Sequence, residues 1–388
     1  MPDSLWLEVG KGLHVLTAKQ PAQAQVLLRL LQTIHPPYDC LSNSPFADFP
    51  QYTPGQHGID TITAAKKTVA LAIFAASPEL VHELAAIDPL FYDTGWIELG
   101  RRRDCSRWMH FVELSESARW SEIHGTVMDL LTHARVKAPQ MVSEFELALQ
   151  SWRGTDRIKD QRAHQLKALL QSLRSALAAD QQSILDHCLQ AVDRAHHFSR
   201  AKEMVAARLP MFLSIPTPLA DASASDDVTD KAFFHALGAQ LLVRHPEQTS
   251  RIGILTQLNL QLNEFLPALH LQFREEGGCM KLEDTIYGVP LSLSTRPPAD
   301  KTIARMAGLS ILHRAVNGCE PIFLLDCRGL SLQQRDRSDL FKHLLQFCSN
   351  RQCLIAPDRD FLKLCQAENQ GKDDKNVSNL RFIHVELI

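Results

Sequence analysis

Apolar positions along this chain switch between two periods, and the switches delimit its elements. Short uninterrupted apolar runs read as strands buried on both faces, whereas apolar residues recurring every three or four positions read as one face of a helix. The clearest succession lies between Leu282 and Asp360. A strand is followed by the polar turn Leu293-Ser294-Thr295-Arg296, a helix over about 299–316, and the apolar run Ile322-Phe323-Leu324-Leu325 ending in Asp326. A helix over about 335–349 and the run Cys353-Leu354-Ile355-Ala356 complete it. Strand, helix and strand in this order predict a parallel sheet with helices on its faces.

Upstream, Leu5–Val9 and Leu13–Leu16 flank Gly10-Lys11-Gly12, a hairpin pattern, and lead into a helix over about 22–33 striped by Val26, Leu27, Leu30, Leu31 and Ile34. Residues 36–58 read as a long surface loop, and 59–76 suits a helix, a strand or both. Ser77-Pro78 has the chemistry of an N-cap followed by a first helical turn, opening a helix to about Ala86. Runs at about 95–99 and 108–114 predict a second hairpin whose tip, Arg101-Arg102-Arg103-Asp104-Cys105, is followed by Arg107 and Trp108. From Arg119 to about Leu209 the period is helical, with a stripe through Leu166, Leu170, Leu173, Leu177, Ile184, Cys188 and Val192. Its length suits a compact helical lobe. Pro210 to Asp230, with Pro216, Pro218 and the run Ala222–Asp227, reads as a linker. Helices at about 230–243 and 250–265 and strands at about 269–273 and 280–283 follow, and a helix at 361–367 and a strand at 380–387 close the chain.

Composition narrows the class without selecting a function. With 388 residues, 45% apolar and 22% charged, the chain suits one large or two smaller globular domains and neither a fibrous nor a disordered class. A formal charge of -3 gives no general attraction to nucleic acid, so the arginines at 101–103 and 107 are the candidate phosphate contacts, against the alternative of a solvated tip paired with Glu98 and Glu113. The nine cysteines form no CxxC pair and read as reduced, mostly buried thiols of a cytoplasmic protein. Met1-Pro2-Asp3-Ser4 does not open a signal peptide, and no run reaches the roughly 20 apolar residues of a membrane span. His196-His197 has no matching ligands at metal spacing, so no metal is assigned.

An apolar strand ending in Asp326, preceded by a Ser-led turn and helix, resembles the C-terminal half of an ATP-binding-cassette head of the SMC (structural maintenance of chromosomes) and RecF type. The resemblance implies a P-loop NTPase-like α/β sheet flanked by helices, with a small antiparallel β layer and an inserted helical subdomain. It divides the chain into 1–118, the N-terminal part of the head; 119–215, the inserted lobe; and 216–388, the C-terminal part. It also identifies departures. The family's phosphate-loop pattern falls on Ala18 at the first glycine, Gln23 at the last, Ala24 at the lysine and Gln25 at the Ser/Thr. The signature loop keeps Leu293 and Ser294, then runs into Thr295, Arg296, Pro297 and Pro298. Cys327 stands where the family carries the catalytic Glu, and Pro357-Asp358 where many members place a switch His.

Lysine neutralises terminal phosphates, the hydroxyl ligates magnesium, and the glycines admit a ring of N–H groups; Ala24 and Gln25 supply neither charge nor hydroxyl. The resemblance with these losses implies a catalytically inactive head, without cofactor, acting as a structural or regulatory subunit of a DNA-associated complex in repair, chromosome or plasmid maintenance, or phage defence. A protein partner is implied and DNA is open. Two alternatives stand beside it. One is a diverged ATPase binding ATP and Mg through Lys19, Arg296 and Asp326 or a partner; the other is a protein-docking scaffold with no DNA role.

Overall fold

The helix after the polar turn has almost no polar face, and the fold follows from that. In the computed structural model, which describes residues 7–19, 21–35, 68–102, 106–215, 237–285, 291–293, 296–327, 333–370 and 380–385, this helix spans Pro298–Asn317, and fifteen of its twenty residues are buried. A helix buried on nearly every side must be surrounded by other elements. Pro298 sits in its first turn, where a missing N–H costs nothing, and Gly318 ends it at φ 74°, a left-handed cap that favours glycine.

Numbered along the chain, the strands are β1 (Gly12–Ala18), β2 (Thr68–Ala75), β3 (Trp96–Arg102), β4 (Arg107–Phe111), β5 (Phe212–Ile215), β6 (Leu271–Glu276), β7 (Cys279–Asp284), β8 (Leu291–Ser292), β9 (Ile322–Asp326), β10 (Gln352–Ala356) and β11 (Leu380–Val385). The helices are α1 (Pro21–Ile34), α2 (Pro78–Ala85), α3 (Trp120–Ala134), α4 (Pro139–Leu149), α5 (Asp160–Leu173), α6 (Ala179–Ala206), α7 (Gln248–Phe265), α8 (Pro298–Asn317), α9 (Gln334–Phe347) and α10 (Arg359–Gln370), with a further helical stretch at 237–244.

The chain divides into two units. The first comprises residues 1–70, 101–107 and 208–388 and holds a five-stranded sheet ordered β11-β1-β10-β9-β5, parallel throughout. Its core joins Leu13 and Val15 of β1, Phe323 and Leu325 of β9, Cys353 and Ile355 of β10, and the α8 residues Ile303, Leu309 and Leu312. A separate antiparallel meander, β6-β7-β8, belongs to the same unit. Asn259 of α7 both donates to the Phe273 carbonyl at 3.1 Å and accepts from the Phe273 N–H at 2.6 Å, so a side-chain amide occupies the outer edge of β6 at that residue.

The second unit comprises residues 71–100 and 108–207. Helices α3 to α6 pack around Val127, Phe145, Leu166, Leu170, Leu185, Cys188 and Val192. Phe91, Phe111 on β4 and Phe198 on α6 form a three-ring cluster with centroids 4.9–5.4 Å apart, which packs β4 against α6. Strands β2, β3 and β4 form that layer. A Cβ at Gly100 would lie 2.2 Å from the Trp108 ring, so glycine is required for the indole to cover the strand. Ser77 caps α2, its hydroxyl accepting from the Leu80 N–H at 3.2 Å.

Two expectations change. The hairpin of 5–9 with 13–16 is absent from the described residues 7–10: β10 and β11 occupy both edges of β1 in parallel, leaving none for an antiparallel partner. Residues 5–6 lie outside the described residues. Phe212–Ile215, expected within a linker, is the edge strand β5, because Leu213 and Ile215 are as buried as any core residue and pair with β9. Residues 216–236 lie outside the described residues.

Leu309→Ala, at a fully buried position of α8, should cost about 2–5 kcal/mol in urea denaturation by leaving a cavity that the surrounding layers cannot close. A loss under about 1 kcal/mol would contradict the central role of this helix.

Candidate functional site

The C-terminal edge of the parallel sheet is the first place to look for chemistry, because strand ends and helix N-termini converge there. Asp326 ends β9 directly beside Ala356 of β10 and is half-buried. The next residue, Cys327, is fully buried and donates its N–H to the Ala356 carbonyl at 2.9 Å, continuing the pairing one residue beyond the strand. Burial, followed by the nearby Cys365, Asp358 and Asp326, pushes its thiol well above the usual range. Such a thiol stays protonated and cannot polarise water as a carboxylate does.

Asp358 has a structural task. Its Oδ1 accepts from the Phe361 N–H at 2.7 Å, capping α10, and its Oδ2 accepts from Arg337 Nη2 at 2.8 Å. Sequence reasoning overlooked Arg337, whose only sequence signal was a basic residue early in a helix that leaves the sheet edge. Arg296 is also held within the fold: its Nε pairs with the buried Asp284 at 2.5 Å and its Nη2 donates to the Leu269 carbonyl. That pairing ties it to β7 and not to a phosphate. Ser294 lies outside the described residues, and Leu293 beside it is buried.

At β1 the geometry is equally definite. Only residues 19–20 separate the end of β1 at Ala18 from the start of α1 at Pro21. Gln23, Ala24 and Gln25 therefore lie inside the helix, and Ala24 is buried along the stripe that includes Leu27 and Leu28. Lys19 is exposed before the helix. Pro21 offers no N–H to an anion, and positions 18–25 contain no glycine, the residue that lets backbone amides close around a phosphate.

Arg101 is buried and its Nε donates to the Thr33 carbonyl at 2.6 Å, in the last turn of α1, where helix carbonyls lack partners and a cation is favoured. Arg107 Nη1 donates to His35 Nδ1 at 3.2 Å, and Arg102 Nη1 to Ser106 Oγ at 3.4 Å. Arg103 lies outside the described residues. The His35 carbonyl accepts from the Phe212 N–H, and the Met211 N–H donates to His313 Nε2, so this polar layer sits under the N-terminal ends of β5 and β9. Thus Arg101 and Arg107 approach the N-terminal ends of these parallel strands, whereas Asp326 lies at the C-terminal end of β9. Arg101 is buried against the end of α1, whereas Arg107 is exposed. Burial, followed by Arg107, His313 and Arg101, lowers the His35 pKa to about 3, leaving a neutral ring that accepts from Arg107.

In the second unit His197 Nδ1 lies 2.7 Å from the buried Asp88, which accounts for it without a metal. Among the described residues no group of three potential ligands is placed to hold a metal ion, and no helix is long and apolar enough to cross a membrane.

No family model matches this chain, and no curated protein matches it. Solved structures similar to it include the Smc head bound to the C-winged helix domain of ScpA, at 8% identity and a TM-score of 0.38 over 91% of this chain and 84% of that one. Another is the Smc head domain with an extended coiled coil bound to the C-terminal domain of ScpA, from Pyrococcus furiosus, at 9% identity and a TM-score of 0.33 over 91% of this chain and 85% of that one. Scores at this level carry no inference, and the α/β architecture rests on the strand order and pairing of this chain itself.

Two outcomes follow from the polar layer. Arg101→Ala should lower stability by about 1–3 kcal/mol, since it strips a buried carbonyl of its partner, whereas Arg102→Ala should stay within about 0.5 kcal/mol. The unfolded chain protonates His35 near 6.5 and the folded chain only near 3, so stability is lost as pH falls through that window. One proton of difference corresponds to about 1.4 kcal/mol per pH unit. Urea unfolding of His35→Gln between pH 7 and 5 should therefore show a shallower pH slope than the parent; an unchanged slope would mean that His35 is not held neutral.

Proposed function

We propose that this chain is a non-hydrolysing head of the SMC and RecF type, serving as a structural or regulatory subunit of a DNA-associated complex with a protein partner. The observation that carries the proposal is the two-residue connection between β1 and α1, together with the burial of Cys327 beside Asp326. A parallel sheet whose strand β9 ends in Asp326 supports the head-like reading, and the lack of glycine, lysine and hydroxyl at Ala18, Gln23, Ala24 and Gln25 supports the loss of turnover. Mg-ATP does not fit this pair of features. The complex itself, in repair, chromosome or plasmid maintenance, or phage defence, belongs to the same proposal.

A protein-docking scaffold without a DNA role is the second reading. What favours it is the inward orientation of Arg101, which withdraws the most buried of the basic residues from any phosphate. The two readings separate in a titration of the intact chain with duplex DNA, alongside Arg102→Ala/Arg107→Ala, a pair whose removal spares Arg101. Binding that weakens in the double variant supports the DNA-associated subunit, and no binding by the intact chain supports the scaffold.

Isothermal titration of the intact chain with Mg-ATP should give no saturable heat, and Asp326→Ala should leave assembly with the partner unchanged. Saturable, magnesium-dependent binding that Asp326→Ala abolishes would overturn the proposal in favour of a diverged ATPase.

A further inference from the structure

Strand β2, TVALAIFA, is the outer strand of its sheet among the described residues and contains no charged residue, proline or glycine. Edges so composed are templates for another strand, and proteins ordinarily blunt them. This chain does so at β6, where Asn259 occupies the backbone groups of Phe273. No described residue performs that task along Val69, Leu71 and Ile73.

Three features of β2 agree on what covers it. The Ala76 N–H donates to the Gly95 carbonyl at 3.0 Å, joining the end of β2 to the start of β3, so the two strands run antiparallel. Continuing the alternation back from that bond, Ala70, Ala72 and Phe74 direct their backbone groups to β3, and Val69, Leu71 and Ile73 direct theirs to the edge that no described strand occupies. Those same three residues carry the large apolar side chains that β2 exposes, at 39%, 40% and 42%; Thr68 and Ala75 at its ends are exposed as well. Finally, the segment Val69-Ala70-Leu71-Ala72-Ile73 reads almost the same in both directions about Leu71.

We propose that β2 is a self-association strand, and that two copies of this chain join their β2 edges antiparallel about a two-fold axis at Leu71. In that register Leu71 faces Leu71 of the second copy, and Val69 faces Ile73 of the second copy. The outward N–H and C=O groups of all three residues meet as hydrogen-bonded pairs. The apolar stripe becomes continuous across a six-stranded sheet, while Ala70 and Ala72 face each other on the opposite side. An isologous contact of this kind closes at two copies. A charged or proline-rich partner has no counterpart on this edge; a strand symmetric about its own centre has one in itself. The inference concerns assembly and does not depend on the nucleotide reading.

The test is the mass of the intact chain by sedimentation velocity and light scattering across a wide range of concentration. The expected result is a monomer–dimer equilibrium. Leu71→Lys, which sets two like charges face to face on the axis, should raise the dimer dissociation constant by roughly 100-fold or more. Leu71→Val should retain the dimer, and Leu260→Lys, on the exposed side of α7, should leave it unchanged. If Leu71→Lys fails to fold, as judged by circular dichroism and urea midpoint, Leu71→Thr replaces it and should weaken the dimer in the same direction. A chain that stays monomeric throughout, an open series of larger oligomers, or a dimer indifferent to Leu71 would each overturn the proposal.

Discussion

The burial of α8 on all sides is the constraint to which the first unit answers. Ile303, Leu309, Leu312 and Val316 require apolar neighbours in several directions, and a parallel sheet with helices against it supplies them. The same demand accounts for the polar residues that α8 carries inward: His313 and Asn317 at its C-terminal end pair with each other and with Cys319 and Met211. A buried polar group left without partners is costly, so these bonds hold the strand ends in register as much as the apolar contacts do.

That arrangement separates two regions which the sequence presents as equally suggestive. At the C-terminal strand edge, Asp326 stands beside a protonated, buried Cys327 and an Asp358 already engaged with Arg337 and the start of α10. At the N-terminal edge, Arg101 serves a helix end. Each local chemistry is explained by the element that ends there, and the geometry brings neither to the other.

How much of this was legible in the sequence depended on range. Periodicity located α1, α8, α9 and the strands β9 and β10 within a few residues, because burial on both faces writes itself into consecutive apolar positions. It failed at β5, where four strand residues lie between prolines and mimic a linker, and at residues 7–9, where an apolar run looked like part of a hairpin arm although β1 had no free edge. The site was less readable. Ala24 and Cys327 could be named as departures from a pattern, but Arg101 reaching Thr33, 68 positions away, left no local trace. Arg337 was missed for the same reason: its partner Asp358 lies across a helix and a strand.

The placement of β1 between β10 and β11 bears on how the chain is made. The Gln352 side chain that reaches the Val9 carbonyl is 343 positions downstream. At the ribosome's pace of roughly 5–20 residues per second, that interval is on the order of 20 s to a minute. Throughout it the apolar strand Leu13–Leu16 has neither of its final neighbours, so an interior strand of the sheet precedes both of its partners in the chain. A nascent chain of this kind needs shelter for its first strand until its last has emerged.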